Sequence, residues 1–465
     1  MTETTLAAED LVIRRDPRTG EQIDQFHPGR GVEVDAAFAD ATAAFLQWSR
    51  TTPGQRQEAL LRVADDMEAL ADEFVAAECR DTGKLPEVFR AEELTPIIDQ
   101  MRFFAGAART LEGRAAGEYV EGHTSMIRRE PVGVVAAIAP WNYPLMTAVW
   151  KLAPALAAGN TVVFKPDAAT PSSALLLERI CVRHLPRGAV RLVCGDRVTG
   201  ELVASHPDAA MVALTGSVEA GVAVARSAAA DLRSTHLELG GNAPVLVFED
   251  ADIDACAALI SGAAYYNAGQ DCTAPSRVLA HHSVAEKLTA ALVREACALL
   301  TGDADDPSHG RSPLISESQC GRVAGLVQRL GEHAEILTGG VAESRPGFFF
   351  EPTVITGVRQ SDEIVQEEIF GPVLTIQSFD TETEALELAN GVRQGLAAGV
   401  WTRDVGRAFR VTTALDFGVT WVNTHVTTAA EMPHGGFKST GGAQDLSIYG
   451  LEAYTRIKHV LMAWS

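Results

Sequence analysis

Two segments near the start of the chain carry apolar residues at spacings of three and four, which is the period of one face of an α-helix. Polar and charged residues fill the positions between them. The pattern therefore predicts two amphipathic helices, the first through Val34, Ala37, Phe38, Ala41, Phe45 and Trp48 and the second through Leu60, Ala64, Met67, Ala71, Phe74 and Val75.

The middle of the chain alternates short apolar runs with longer stretches rich in Ala and Leu. Each run is bounded by Gly, Pro or Asn and is often β-branched, as expected of a buried strand. The runs are residues 132–138, 161–164, 211–214 and 244–248. Strands that alternate with helices predict an α/β fold in which helices cover a parallel sheet.

Glycine pairs mark breaks at Gly240-Gly241, Gly435-Gly436 and Gly441-Gly442. The first of these pairs is the predicted domain boundary. The last stretch, Tyr449–Met462, mixes β-forming residues with charged ones and would be an exposed edge strand by itself. Pairing with another subunit would cover that edge.

The composition narrows the class of protein. A chain of 465 residues, 46% of them hydrophobic, can bury several cores, and its length predicts at least two domains. Its net charge of −22 repels nucleic acid and anionic lipid surfaces. The polar, acidic start and the lack of an apolar run of about 20 residues predict a cytoplasmic protein without a membrane span. Its seven cysteines are scattered, without metal-site spacing, and are expected to be reduced thiols.

Three segments could carry a nucleotide site or a catalytic carboxylate. Residues 211–221, MVALTGSVEAG, suit a strand, turn and helix that point N–H groups at an anion, although ordinary turns also use such glycines. Lys165 ends an apolar strand, where it could contact a nucleotide or lie on the surface. Glu238 interrupts another strand, so it is either functional or held in a structural salt bridge.

One cysteine has a distinctive setting. Cys272 follows an apolar helical stretch in a turn of Gly, Gln and Thr, which suits a reactive thiol better than the Ala-rich surroundings of Cys181 and Cys256.

Six motifs in order resemble the aldehyde dehydrogenase superfamily across nearly the whole chain. They are IAPWNYPL, VVFKP, LTGSVEAG, ELGG, NAGQDCTAPSR and EEIFGPV. The segments EGHTSMIRREPVGVVAAIAPWNYPLM, YYNAGQDCTA, WVNTH and EMPHGG are closer still to the γ-aminobutyraldehyde dehydrogenase branch.

The resemblance implies a role for each matched residue. Cys272 would be the nucleophile, a thiol partly ionised near neutral pH, and the Asn142 amide with the Cys272 N–H would hold the oxyanion. Glu238 would activate the water that hydrolyses the thioester, and burial would raise its pKa. NAD would be the cofactor and no metal is implied. The matched cofactor residues are Ile138, Trp141, Lys165, Gly216, Ser217, Leu239, Glu368 and Phe370.

The chain departs from the family pattern at a few positions. Ala168 stands where an acid often favours NAD over NADP, so NADP use stays open, although neighbouring Asp167 could replace that acid. Ser312 and Gln444 replace a usual glycine and a usual basic residue. None of these positions is in the catalytic set.

The resemblance also implies a domain plan. A doubly wound cofactor domain would comprise residues 1–109 and 132–240, and an α/β catalytic domain residues 241–446. Residues 110–131 and 447–465 would form a small β-hairpin domain that joins subunits into a homodimer or homotetramer.

The implied reaction is NAD-dependent oxidation of an ω-aminoaldehyde such as 4-aminobutanal. Alternatives are a broad-specificity, betaine-aldehyde or semialdehyde dehydrogenase, and a relative that keeps the fold without turnover. A protonated amine needs a carboxylate partner in an apolar tunnel. Glu93 and Asp99, which we expect to share a helix face, and Asp271 are candidates for that partner, and Trp150 is a further candidate for substrate binding.

Overall fold

The computed structural model describes residues 11–113, 116–303, 305–306 and 310–464. The acidic first ten residues and short parts of the predicted hairpin domain lie outside these ranges. Among the described residues, no helix is long and apolar enough to cross a bilayer. All seven cysteines are free thiols, as the sequence predicts.

The first large sheet has five parallel strands that are buried on both faces. Alanine, valine and leucine fill them, which is typical of a parallel sheet between helical layers. From one edge to the other the strands are Val190–Leu192, Thr161–Lys165, Val134–Ile138, Met211–Gly216 and Ser234–Leu239. The expected parallel sheet is confirmed, and the chain order reverses about its central strand, as in a doubly wound fold.

Helices cover both faces of this sheet, and several begin at clear caps. Ser217 and Asp196 accept hydrogen bonds from the first turns of their helices, and Thr52 precedes Pro53 in a capping box. The helices in this half are Gly31–Trp48, Pro53–Ala69, Ala71–Thr82, Pro86–Val88, Thr95–Ala107, Pro144–Ala158, Ser172–His184, Arg197–Ser205 and Val218–Ala229, with a π-helical turn at Phe89–Leu94.

The predicted second helix is two helices. Leu70 leaves helical geometry at φ −103° and ψ 23°, and its N–H bonds to carbonyls of the preceding turn. The apolar spacing continues across this break, because both helices pack on one core that includes Met67 and Phe74. Periodicity alone therefore does not reveal the joint.

The second large sheet has seven strands, parallel except at one edge. In spatial order they are Glu335–Thr338, Thr353–Thr356, Val373–Phe379, Pro275–His281, Ala243–Val247, Ala397–Trp401 and Val419–Val422. Its helices are Ile253–Tyr265, the 3₁₀ turn Tyr266–Gly269, His282–Thr301, Glu317–Gln328, Glu363–Gln366, Glu382–Asn390 and Val405–Ala414. Together the two sheets give the expected pair of α/β units.

Three strands project from this body as an antiparallel sheet in the order Thr455–Ala463, His123–Pro131, Gly117–Val120. The expected terminal strand begins later than predicted, because the short helix Ser447–Ala453 precedes it and buries Leu451 against the core. The strand itself is largely exposed. Its role in joining subunits stays a prediction, as does the division into domains.

Small two-stranded pairs complete the fold. They are Val12–Arg15 with Gln22–Phe26, Gln394–Gly395 with Phe437–Lys438, and His434–Gly435 with Gln444–Asp445.

Candidate active site

A cavity of about 800 Å³ lies where loops from the two large sheets meet. Trp141 and Asn142 follow one strand of the first sheet, and Glu238 lies near the end of another. Cys272 belongs to the second large sheet, where it lies in the loop just before a central strand, and it lines the cavity from that side. The structure therefore brings the three predicted catalytic residues together at the carboxyl ends of first-sheet strands, where open α/β sheets bind ligands.

An unusual turn leads into Cys272. Asn267, Ala268 and Gly269 all have positive φ, at 46°, 55° and 69°. A side chain at Gly269 would meet the backbone oxygen of Gly371 at 2.2 Å. The Asn267 amide donates to the backbone oxygen of Asn142 at 3.0 Å, so this turn ties the two sides of the cavity together.

The environment of Cys272 differs from the one that we expected. Its thiol is half-buried, and burial together with the nearby carboxyl groups of Glu238, Asp271 and Glu368 raises its pKa well above the usual range. These surroundings do not support the expectation of a thiol partly ionised near neutral pH. The physical reason is that carboxyl groups, which disfavour a thiolate, surround the sulfur.

Glu238 is 1% exposed, and its Oε1 has no hydrogen-bond partner. Burial, followed by the charge of Asp445, raises its pKa well above the usual range, as expected of a buried carboxyl group. Its carboxylate, the Cys272 Sγ and a ring nitrogen of His434 lie within 4.8 Å of one another. No Lys or Arg in the described chain pairs with Glu238. His434 Nε2 lies 4.0 Å from Glu238 Oε1, but burial lowers the pKa of this imidazole, which disfavours the salt bridge that was the alternative for Glu238.

A buried network lies behind Glu238. The Lys151 ammonium and a ring nitrogen of His236 contact the Asp445 carboxylate at 2.7 Å and 2.8 Å, and all three groups are almost fully buried. Asp445 keeps its pKa below the usual range despite burial, because both partners favour its charged form. This network fixes the strand that carries Glu238, two residues beyond His236.

Asn142 is buried in the cavity wall. Its Nδ2 donates one hydrogen bond to the backbone oxygen of Gln270 at 3.0 Å. A carboxamide carries two N–H donors, so one remains for a ligand. The contact also fixes the amide beside the turn that leads into Cys272.

The cofactor side of the cavity contains most of the residues predicted for it. Gly216, Ser217 and Leu239 line it, and Ser217 begins the helix Val218–Ala229 with its free N–H groups. Trp141 and Phe370 pack edge to face at 5.3 Å between ring centres. This is the strand, turn and helix that the sequence predicts for an anion such as a pyrophosphate.

The carboxylate of Glu368 is held by the backbone of the glycine pair Gly240-Gly241. Its Oε1 accepts a hydrogen bond from the Gly241 N–H at 2.9 Å, and burial raises its pKa to about 7. A side chain at Gly240 would meet Glu368 Oε2 at 2.1 Å, and one at Gly241 would meet the Cys272 backbone oxygen at 2.0 Å. The glycine pair therefore permits close packing around the cleft.

Two predicted cofactor residues lie outside the wall of this cavity. Ile138 and Lys165 are paired neighbours on adjacent strands, at the same sheet end as Gly216. Lys165 is buried, burial lowers its pKa, and within the described chain it has no ion pair. A buried ammonium without a counter-ion is costly, so its position suits an anionic or hydroxyl-rich ligand.

The candidates for amine binding separate in the structure. Asp271 and Trp150 line the cavity, and the Asp271 carboxylate accepts a hydrogen bond from the Tyr143 hydroxyl at 2.7 Å. Asp99 is exposed and lies outside the cavity wall, whereas Glu93 is 1% exposed. The expectation that Glu93 and Asp99 share a face is wrong, because Glu93 lies in the π-helical turn and Asp99 in the helix that follows it. Even in a continuous helix of 3.6 residues per turn, a separation of six residues puts two side chains about 120° apart.

Glu93 lines the cavity, but its charge is already compensated. The Lys84 ammonium contacts it at 2.7 Å, and the Tyr266 hydroxyl donates to it at 2.8 Å. The expectation that Glu93 meets the substrate amine is therefore not supported by its contacts.

Several residues that line or support the cavity were missed by the sequence analysis. Glu92, Tyr143, Tyr266 and His434 line it, and Lys84 stands beneath Tyr143 at 4.1 Å from the ring centre. The motifs WNYPL, YYNAGQ and EMPHGG contain three of these residues. These motifs carry the family resemblance, but nothing in their spacing marks Tyr143, Tyr266 or His434 as cavity-lining residues.

The fold and this cavity define an α/β enzyme with its cleft between two largely parallel sheets. A model of the aldehyde dehydrogenase family matches residues 6–460. The chain belongs to the aldehyde dehydrogenase family and is therefore an oxidoreductase, which confirms the expected superfamily and enzyme class.

Solved relatives share the fold over nearly their whole length. Betaine aldehyde dehydrogenase from Staphylococcus aureus, in complex with NAD⁺, is 34% identical with a TM-score of 0.94, and the match covers 98% of this chain and 92% of that one. An NAD-dependent aldehyde dehydrogenase from Sinorhizobium meliloti is 33% identical, with the same coverage and TM-score. PnpE from Pseudomonas sp. WBC-3 is 33% identical, with a TM-score of 0.94 and coverage of 97% and 94%.

Proposed function

We propose that this protein oxidises an ω-aminoaldehyde such as 4-aminobutanal to 4-aminobutanoate, with NAD as cofactor. The observation that carries the substrate assignment is the lining of the cavity near Cys272. It offers the carboxylates of Asp271 and Glu92 and the aromatic rings of Tyr143, Trp150 and Tyr266. This is an environment for a cationic substrate.

The reaction begins when the Cys272 thiol gives up its proton to solvent and its sulfur attacks the aldehyde carbon, which forms a carbon–sulfur bond and moves the carbonyl electron pair onto the aldehyde oxygen. The free Asn142 N–H and the Cys272 backbone N–H would stabilise that oxygen. NAD, when bound, supplies a hydride acceptor and a positively charged ring. Gly216, Ser217, Trp141, Glu368 and Phe370 would hold it.

Loss of hydride from the substrate carbon leaves a thioester on Cys272, which water must hydrolyse. Glu238 would accept a proton from that water, since its carboxylate is within 4.8 Å of the sulfur. Its raised pKa suits a base that works near or above neutral pH.

The charge of the lining favours a cation over an anion at the distal end of the substrate. Arg322 is the one basic side chain among the described lining residues with a full positive charge at neutral pH, and it donates to the Glu368 backbone oxygen on the cofactor side. A semialdehyde with a terminal carboxylate would therefore find carboxylates near Cys272 instead of a cationic partner.

Betaine aldehyde is the second candidate substrate, because one structural relative acts on it and aromatic rings attract quaternary ammonium groups. The carboxylate of Asp271 favours a primary amine instead, because its partners Tyr143 and Thr273 are neutral and leave its charge uncompensated. A carboxylate can accept N–H hydrogen bonds from an amine, whereas a trimethylammonium group has no donor.

Substitution of Asp271 by Asn tests the amine assignment. We expect kcat/KM for 4-aminobutanal to fall about tenfold or more, since the variant removes the charge. The single Asn oxygen can still accept from Thr273, and its NH2 group can donate to the Tyr143 hydroxyl oxygen in place of the bond that Tyr143 now donates. For butanal, which lacks the charge, we expect kcat/KM to change little. Steady-state NADH formation with both aldehydes measures the ratio.

Asp99→Asn is the matched control, because Asp99 is an exposed carboxylate outside the cavity wall. It should leave both kcat/KM values unchanged. An equal loss for both aldehydes in the Asp271 variant would show that the variant disturbs the Cys272 turn. Higher kcat/KM for betaine aldehyde than for 4-aminobutanal in the wild type would favour the second candidate.

We expect NAD to be preferred over NADP by only a modest factor. Ala168 supplies no carboxylate to repel a 2′-phosphate, and the Asp167 carboxylate already accepts a hydrogen bond from the Ala169 N–H at 2.9 Å. Ala168→Asp should raise the ratio of kcat/KM for NAD to that for NADP. An unchanged ratio would mean that residue 168 does not face the ribose.

We also propose a cytoplasmic homo-oligomer. Ile457, Leu461 and Met462 on the terminal strand are each close to half exposed or more, and a second copy pairing at this edge would cover them.

A further inference from the structure

His434 occupies a position in the cavity wall that the proposed reaction does not use. It lies on the two-residue strand His434–Gly435, beside the Trp150 ring at 4.9 Å between ring centres. The side chain is 4% exposed, and neither ring nitrogen has a hydrogen-bond partner in the described chain. A buried imidazole with both nitrogens free is rare, because each lost hydrogen bond to water must be replaced.

Two further groups converge on the same point. Glu238 Oε1 is also buried without a partner, and it lies 4.0 Å from His434 Nε2. The Cys272 Sγ lies within 4.8 Å of both. This separation is too long for direct hydrogen bonds among all three groups, so the unsatisfied atoms surround a small common space.

We propose that Cys272, Glu238 and His434 form a binding site for a thiophilic divalent cation, with Zn²⁺ as the best fit. Sulfur, imidazole nitrogen and carboxylate oxygen are the three donor types that zinc takes in proteins. Hard cations such as Mg²⁺ prefer oxygen donors and would bind poorly here.

The geometry requires a modest contraction. Zinc bonds of about 2.0–2.3 Å place tetrahedral ligand atoms roughly 3.4–3.6 Å apart. The present separations, up to 4.8 Å, would shorten by about 1 Å through side-chain rotation. All three ligand residues line the cavity, which leaves room for water as a fourth ligand and a path of entry.

Binding would replace the proton of the Cys272 thiol by the metal ion and release that proton to solvent. No oxidation or reduction occurs, and a chelator would reverse the binding. The effect on activity rests on the proposed function, in which the metal would bind both the sulfur that attacks the aldehyde and the carboxylate that activates water. The site would therefore act as a reversible zinc-dependent off-switch.

Protection of Cys272 from alkylation tests this proposal without relying on turnover. Protein freed of metal by a chelator is treated with iodoacetamide, and mass spectrometry measures labelling of the peptide that contains Cys272. We expect micromolar Zn²⁺ to slow this labelling, EDTA to restore it, and Mg²⁺ to have no effect. Failure of Zn²⁺ to protect Cys272 would overturn the proposal.

His434→Phe distinguishes the three-residue site from zinc held by the thiol alone. Phenylalanine keeps a planar ring beside Trp150 but removes both nitrogens. We expect the Zn²⁺ concentration for half-protection to rise at least about tenfold, and the thiolate-to-metal absorption band of added Co²⁺ to weaken. Unchanged protection would show a lone-thiol site and overturn the proposal.

A matched control and a second variant complete the test. His282→Asn alters an exposed histidine that pairs with Asp380 outside the cavity wall, and it should leave protection unchanged. If His434→Phe does not fold, as judged by thermal melting, Glu238→Gln removes another ligand and should weaken protection to a similar degree. Full protection in a folded Glu238 variant would also overturn the site.

Discussion

We expect replacement of Cys272 by Ser to abolish aldehyde oxidation, lowering turnover more than about a thousandfold, while NAD binding is retained. A serine hydroxyl ionises far less readily than a thiol, and the carboxyl groups of Glu238, Asp271 and Glu368 oppose ionisation further. NADH formation measures turnover, and quenching of tryptophan fluorescence by NAD measures binding, since Trp141 lines the cofactor side.

Cys320→Ser provides the control for this prediction. Cys320 is also a half-exposed thiol, but it packs in a separate core cluster of the second sheet. Its substitution should leave turnover and NAD binding unchanged. A Cys272 variant that kept a substantial part of wild-type turnover would remove Cys272 from the nucleophile role.

We expect replacement of Glu238 by Gln to leave a rapid first burst of NADH and to slow the steady state by about 10²- to 10⁴-fold. Hydride leaves the substrate before the thioester is hydrolysed, so only the later step loses its base. Glutamine is nearly isosteric and removes a carboxyl group that has no hydrogen-bond partner on Oε1. Stopped-flow absorbance resolves the burst from the slow phase.

Glu178→Gln controls for the loss of a partly buried carboxylate elsewhere. Glu178 accepts a hydrogen bond from the Leu192 N–H, and burial raises its pKa, but it does not line the cavity. Its variant should show wild-type burst and steady-state rates. If the burst itself disappears in the Glu238 variant, Glu238 acts earlier, as the base that takes the Cys272 proton.

The sequence predicts the fold well where an apolar run belongs to a single helix or strand. The runs at residues 161–164 and 244–248 are buried strands, observed at Thr161–Lys165 and Ala243–Val247. The pattern fails at Leu70 and around Tyr449. There, the same apolar residues serve two adjacent elements, so their spacing does not show where one element ends and the next begins.

The sequence predicts which segments form the candidate site but not which contacts their side chains make. Cys272, Glu238 and Asn142 each stand in a distinctive segment, and the structure brings them to one cavity. The pairing of Lys84 with Glu93 and the approach of His434 to Glu238 depend on tertiary packing. No spacing along the chain encodes these contacts, and they determine which carboxylates remain available to bind a substrate.

The turn before Cys272 limits how far this protein can be stabilised without losing reactivity. Asn267 and Ala268 hold left-handed backbone geometry, at a typical cost of about 1–3 kcal/mol each. Glycine at position 268 would relieve part of that cost, but it would also give the backbone before Cys272 more conformational freedom. Selection for thermal stability and selection for catalytic rate would therefore favour different residues in this turn.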